Sequence, residues 1–248
     1  LRRLFAGFSK IIYNLDRYMV STRASLTSDS SYDNNYLTRG RMLDYADRYC
    51  SEISALAAGL NGKTLRSDGL SNFAEYLTAY SESEAFKGLC THVARLRKEL
   101  SRVEYSMLIK SGTIRVRKYE GEDDLSKQIL ACFEKFRQGE VKDYRQKVIE
   151  EPAAAHVEAA VLDMVAGLYK DIFADLNSFC EKYLHFLDPT ITRFAREIQF
   201  YLSWLDYILP LRQAGLPFNY PKLCNTAEQL YCRDMFDLTL AFLTRDKT

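Results

Sequence analysis

The sequence predicts an all-α fold, an elongated bundle of long helices with one short β-hairpin insertion. Three observations lead there. Apolar residues recur at the 3.6-residue helical period over most of the chain. Before the C-terminal segment, the period switches convincingly to two only at residues 105–119. Gly and Pro together occupy few positions (11 and 5 of 248), while hydrophobic residues make up 47%. That composition suits a packed globular chain rather than a disordered or fibrous one.

The elements follow in order. Leu1, Leu4, Phe5, Phe8, Ile11, Ile12, Leu15 and Met19 form the first helical stripe. The polar stretch from Ser21 to Asn35 reads as a loop. Met42, Leu43, Ala46, Tyr49, Cys50, Ile53, Leu56 and Ala57 form a second stripe, and Gly59 to Gly69 a turn. Leu70, Phe73, Ala74, Leu77 and Tyr80 give a shorter helix. Ser81 with Glu84 has the spacing of a capping box for the next one, which carries Phe86, Leu89, Val93 and Leu96. Tyr105 to Lys110 and Thr113 to Tyr119, joined by Ser111-Gly112, read as a β-hairpin with a two-residue turn. Glu122, Asp123 and Asp124 then favour a helix N-terminus, continued by Leu125, Ile129, Cys132, Phe133 and Phe136.

A charged link, Gly139 to Glu151, leads to Pro152. From there Val157 to Leu187 holds one apolar face, about 35 residues or about 50 Å as a single helix. Asp188-Pro189 supplies an N-cap and an N1 proline for the last long helix, which Pro210 is expected to end or kink. Gly215 to Pro221 breaks the helical pattern. Leu223 to Thr248 fits strand or helix equally. The domain reading is a helical core at 1–214, with the hairpin near 105–119, followed by a distinct segment at 215–248.

Charge and cysteine usage bound the function. Formal net charge is +1, so no whole-molecule field selects nucleic acid or membrane. No run approaches the roughly 20 apolar residues of a membrane span, and no signal-peptide core forms at the N-terminus. Six cysteines occur without a C-x-x-C pair, mostly among apolar residues, which predicts buried thiols in the reducing cytoplasm. The chain opens on Leu1 and closes on Arg245-Asp246-Lys247-Thr248, and is read as a segment of a longer protein.

Few motifs carry chemistry. Gly62-Lys63-Thr64 has the ending of a phosphate-binding loop. The full motif needs Gly where Ala57 stands and a strand before it, and an amphipathic helix stands there instead. His92, His156 and His185 are isolated, with no metal spacing between them. No nucleophile elbow surrounds a Ser or Cys. Catalytic, cofactor-binding and metal residues are therefore none.

Local charge says more. Residues 95–147 carry 14 basic and 9 acidic side chains, and residues 148–248 carry 9 basic and 14 acidic. The positive part centres on the hairpin, with Arg95, Arg97, Lys98 and Arg102 upstream. Lys110, Arg115, Arg117 and Lys118 are the candidate DNA-backbone contacts, and strand alternation puts Arg115 and Arg117 on one face.

Longer phrases add a resemblance. FAREIQFYLSWLDYI at 194–208, GLPFNYP at 215–221 and RDMFDLTLA at 233–241 resemble MutS-like proteins, the DNA mismatch-repair ATPase family. LIKSGTIRVRKYEGEDD at 108–124, FEKFRQGEVKDYR at 133–145 and HVEAAVLDMVAGLY at 156–169 are similar too. The resemblance covers most of the chain from about residue 40 and points to a bacterial branch of MutS-related ATPases.

It implies the helical core with its lever helices, often called domain III, without the C-terminal ATPase. The segment from Gly215 would approach that ATPase, and ATP and Mg would belong to the full-length parent. The implied partner is DNA, bound weakly by this part alone, and the parent would be a homodimer. Mismatch-reading members use Phe-x-Glu in an N-terminal domain; Phe73-Ala74-Glu75 matches those letters but falls in a predicted core helix. The alternative reading of the chain is a helical protein–protein interaction or dimerisation module with no nucleic-acid role.

Overall fold

The structure, a computed structural model, describes residues 1–28, 35–110, 113–121, 128, 132, 152–220 and 231–245. Among these it is mostly helical, with one two-stranded antiparallel hairpin. The elements are α1 (Arg2–Leu26), α2 (Tyr36–Leu60), α3 (Asp68–Glu82), α4 (Glu84–Leu100), β1 (Tyr105–Lys110) and β2 (Thr113–Lys118). Then come α5 (Pro152–Leu168), α6 (Lys170–Lys182), α7 (Pro189–Gln213) and α8 (Leu238–Arg245). The expected helix around 122–136 and the charged link at 139–151 lie outside the described residues, apart from single positions. The chain divides into two compact units, one of residues 14–188 and one of residues 1–13 with 189–248.

In the 14–188 unit, α2 packs against α3 and α4. Asn35 starts α2 by accepting a hydrogen bond from the Thr38 N–H at 2.9 Å. The two sides meet antiparallel. Arg97 of α4 bonds Asp44 at 2.6 Å and lies 3.4 Å from Asp47, near the start of α2. Further along α2, the Tyr49 ring meets Phe86 near the start of α4. Met42, Ala46, Tyr49, Ile53, Leu77, Leu96 and Phe179 are fully buried there. Each large apolar side chain so buried contributes about 1.5–3 kcal/mol. The α4 ends match the helix dipole, with Glu84 in the first turn and Arg97 and Lys98 in the last.

The Tyr49 hydroxyl is the polar centre of this core. It donates to the Tyr80 hydroxyl at 3.0 Å and accepts from the Asp188 backbone N–H at 3.2 Å. The Tyr76 hydroxyl donates to Asp188 Oδ2 at 2.9 Å, so three tyrosines and one aspartate satisfy one another. Burial pushes the Tyr80 hydroxyl up from 10.0 to about 12 and raises Tyr49 further. The folded chain thus holds these protons more tightly than the unfolded chain does. Stability should be flat below pH 10.0 and fall as pH rises toward about 12. Urea midpoints measured from pH 9 to 12 check this; a midpoint unchanged through pH 11 contradicts it.

In the other unit, the start of α1 contributes Phe5, whose ring meets Phe194 of α7 edge-on at 5.7 Å. Arg2 pairs with Asp206. Ile191, Ala195, Leu202, Ile208 and Leu211 bury one face of α7. Gly215, with φ 86°, ends α7. The Leu216 N–H donates to the Leu211 carbonyl and the Gly215 N–H to that of Arg212, a Schellman closure that needs the left-handed residue. Asp237 Oδ1 accepts from the Leu240 N–H at 2.8 Å and starts α8. The Phe242 ring then lies 4.7 Å from that of Tyr207 on α7.

Several sequence expectations shift. The loop expected from Ser21 is helix as far as Leu26. The hydroxyls of Ser21 and Thr22 both donate back to the Tyr18 carbonyl, so these polar residues find partners inside the helix. Arg23 Nε also donates to the Leu184 carbonyl at 3.1 Å. The cap of α4 is Ser83 rather than Ser81. Its Oγ accepts from the Phe86 N–H at 3.2 Å, whereas the Ser81 hydroxyl turns back to the Thr78 carbonyl inside α3.

The single helix expected over 152–187 is two, α5 and α6, broken at Tyr169 (φ −124°, ψ 51°), and α6 ends at Lys182. The apolar stripe persists across the break because only one residue leaves the helical conformation. Pro210 sits inside α7, which runs on to Gln213. It falls in the last turn, and the Ala214 N–H still donates to its carbonyl. The ambiguous C-terminal segment contains α8, set by its Asp237 cap. Among the described cysteines Cys50 and Cys180 are buried as expected, but Cys132 and Cys232 are exposed.

Candidate nucleic-acid interface

The hairpin takes the register that its sequence predicts. Tyr105 pairs with Lys118, Met107 with Val116, Leu108 with Arg115 and Lys110 with Thr113. A two-residue connection at 111–112 follows from that register, although its conformation lies outside the described residues. Residues directly opposite share a face, and alternate residues along a strand do too. One face therefore carries Tyr105, Met107, Ile109, Ile114, Val116 and Lys118. The other carries Ser106, Leu108, Lys110, Thr113, Arg115 and Arg117.

The structure brings three of the four candidate cations together. Lys110, Arg115 and Arg117 are exposed on the second face. Arg115 and Arg117, two residues apart on β2, are separated by about 6.7 Å of strand. Lys110 is the diagonal neighbour of Arg115 across the ladder, within about 8 Å. Lys118 is on the opposite face, and its ammonium lies 5.1 Å from the Tyr169 ring centroid.

Tyr169 fixes the root of this hairpin. Its hydroxyl donates to the Glu104 carbonyl at 2.6 Å, and the same carbonyl accepts from the Tyr119 N–H that closes the ladder. The break between α5 and α6 thus coincides with the attachment point of the strands. α5 packs against β2, and Ile114 and Val116 are half-buried. Sequence reasoning missed Tyr169, because its spacing looks like any other stripe position.

The upstream cations divide as well. Arg95 pairs with Asp175 at 2.8 Å and lies 3.8 Å from Glu99, while Arg97 is held by Asp44 and Asp47. These two guanidinium groups hold helices together. Lys98 and Arg102 are exposed. His92 stands between α4 and α6, with Nε2 3.2 Å from Asp175 Oδ1 and its ring edge-on to Phe179. It serves as an interhelical polar residue. His185 is exposed, and the side chain of His156 lies outside the described residues.

The chain matches no family model, no curated protein and no solved structure. The chemistry of the site therefore has to be read from its own residues. Gly62-Lys63-Thr64 follows helix α2 rather than a strand. The Lys63 N–H donates to the Leu60 carbonyl at 3.1 Å, so it serves the helix end. Among the described residues no cluster of three or more His, Cys, Asp or Glu side chains could hold a metal, and no helix is long and apolar enough to cross a membrane. What the hairpin offers is a firmly rooted pair of strands with three cations on one exposed face. Such an array can attract a polyanion without demanding a particular base sequence.

Proposed function

We propose that this chain is a non-catalytic helical core and lever of a MutS-like DNA-binding ATPase, coupling ATPase state to DNA contact in repair or recombination. The observation that carries the DNA part is the placement of Lys110, Arg115 and Arg117 on one exposed hairpin face. The phrases at 108–124, 156–169, 194–208 and 233–241 support the family reading. The Tyr169–Glu104 hydrogen bond supports a coupling route, because a displacement of the α5–α6 junction would carry the hairpin root with it. α7 supplies the stiff lever, 25 residues long or about 37 Å. In this reading ATP and Mg are bound by the parent's ATPase part, the parent is a cytoplasmic homodimer, and this part alone does not hydrolyse ATP.

Direct titration tests the DNA part. A labelled duplex followed by fluorescence anisotropy should bind weakly. Three phosphate contacts give a log–log salt slope of about −2.7, roughly a 40-fold loss between about 50 and 200 mM salt. No binding at low salt, or binding insensitive to salt, defeats this reading.

One observation favours the second reading, a helical protein–protein module. Phe200, Tyr201 and Trp204 on α7 are 69%, 59% and 41% exposed. Aromatic side chains of this kind anchor protein interfaces. Salt-insensitive self-association, lost on Trp204→Ala, would support that reading over the first.

A further inference from the structure

β1 has a second edge that the DNA reading does not use. The Tyr119 N–H donates to the Glu104 carbonyl, which makes Glu104 and Tyr119 a hydrogen-bonded pair. Such pairs alternate along an antiparallel ladder, so Ser106, Leu108 and Lys110 turn their backbone groups toward β2. The N–H and carbonyl groups of Tyr105, Met107 and Ile109 point the other way. Among the described residues the sheet has two strands, and no backbone group bonds this outer edge. The edge also carries little protection. Exposed edges are commonly blunted by proline, a bulge or an inward charge. β1 reads Tyr-Ser-Met-Leu-Ile-Lys, and its register runs from Tyr105 to Lys110 without a bulge. Met107 and Ile109 are 49% and 63% exposed, so α5, which packs against β2, leaves them open. Charges stand only at the two ends, on Glu104 and Lys110, and both residues are exposed.

We propose that β1 pairs antiparallel with β1 of a second copy of this chain, in a register centred on Met107. Two-fold symmetry then sets every contact. Met107 meets its own counterpart, and Tyr105 meets Ile109 of the second copy, an aromatic side chain beside a β-branched one. Glu104 falls opposite Lys110 of the second copy, and the symmetry makes this ion pair twice. The charges select the register. A slip of two residues in either direction separates them, and a slip of one brings backbone groups that already serve β2 to the new edge.

The product is a four-stranded sheet in the order β2, β1, β1, β2. Odd-numbered residues of β1 meet odd ones and even meet even, so each face of the hairpin continues into the same face of its copy. A two-stranded hairpin is marginal by itself, and the added strands stabilise it. The pairing does not depend on the DNA reading, and its test contains no DNA.

The test is sedimentation equilibrium of the whole chain. Six residues per copy make a small interface, so the chain is run up to about 100 μM, where a monomer–dimer equilibrium is expected. Met107→Pro removes an outward N–H and spares the bonds to β2, and should weaken the dimer at least about 10-fold. Glu104→Lys and Lys110→Glu each set two like-charge pairs across the new ladder, and each alone should weaken it at least about 10-fold. In a mixed dimer of these two variants both pairs are opposite again. Their equimolar mixture should therefore regain the affinity of the unaltered chain within about 3-fold. Trp204→Ala should leave the equilibrium unchanged.

Any of four results would overturn the proposal. One is a chain that stays monomeric at the highest concentration. Another is a Met107→Pro chain that folds and associates as tightly as the unaltered one. The third is a mixture of the two charge variants that remains as weak as either alone, since the register would then be wrong. The fourth is loss of the dimer on Trp204→Ala, which would assign the association to α7. Should Met107→Pro fail to fold, the two charge variants, altered only at exposed side chains, decide the matter.

Discussion

Replacing Arg115 and Arg117 together by glutamate should lower duplex-DNA affinity at least about 100-fold at about 50 mM salt and flatten the salt slope by about two. The change removes two of the three cations on the exposed hairpin face and puts two anions in their place. Both side chains are exposed, so helix content and unfolding midpoint should stay within about 0.5 kcal/mol of the unaltered chain. The comparison that gives the result its meaning is Lys118→Glu. That residue neighbours Arg117 in sequence but occupies the other face, over the Tyr169 ring. A contact surface made of one hairpin face predicts a smaller effect there, under about 5-fold, because the Lys118 side chain stands on the opposite face and makes no phosphate contact of its own. Equal losses in the two variants would mean that the binding follows total charge, and the hairpin face would lose its assigned role.

The second large effect concerns stability. Phe179→Ala should destabilise the 14–188 unit by about 3–5 kcal/mol in urea titration. Phe179 is fully buried on α6, edge-on to His92 of α4 at 5.2 Å and against Tyr183 at 5.1 Å. Its removal opens a cavity beside His92, which meets the Asp175 carboxylate together with Arg95. A loss below about 1 kcal/mol would mean that the neighbouring helices close the gap, and that α4 and α6 are held by their charges rather than by this ring.

The sequence made the helices legible where a stripe was long and its flanks were punctuated. α2 lies where Met42, Ala46, Tyr49 and Ile53 repeat, and Pro189 opens α7. The hairpin register was legible as well, because alternation and a two-residue turn leave one way to pair the strands. Breaks were not. Tyr169 continues the apolar stripe and still interrupts the helix, and Pro210 has the residue type of a terminator yet lies inside one. Periodicity reports which face is buried, not whether every backbone bond along that face is made.

Of the candidate site, the four cations and the shared face of Arg115 and Arg117 were readable from alternation alone. Their division was not. Lys118 differs from Lys110 only in strand position, and the pairing register decides which face each occupies. Arg95 and Arg97 looked equivalent to the hairpin cations in a count of charges. Asp175, 80 residues further along, and Asp44, 53 residues earlier, take them up.

By itself, then, the sequence determined the helical class, the hairpin at 105–118 and its register, because these depend on side-chain period and turn chemistry within a few residues. Tertiary structure alone decided that Tyr49 joins Tyr80 to Asp188, that Arg95 meets Asp175, and that Tyr169 roots the strands at Glu104. Each of those is a meeting of residues distant in the chain. Helix packing sets such meetings through the rotation and slide of one helix on another, and neither quantity is written in the period of either helix.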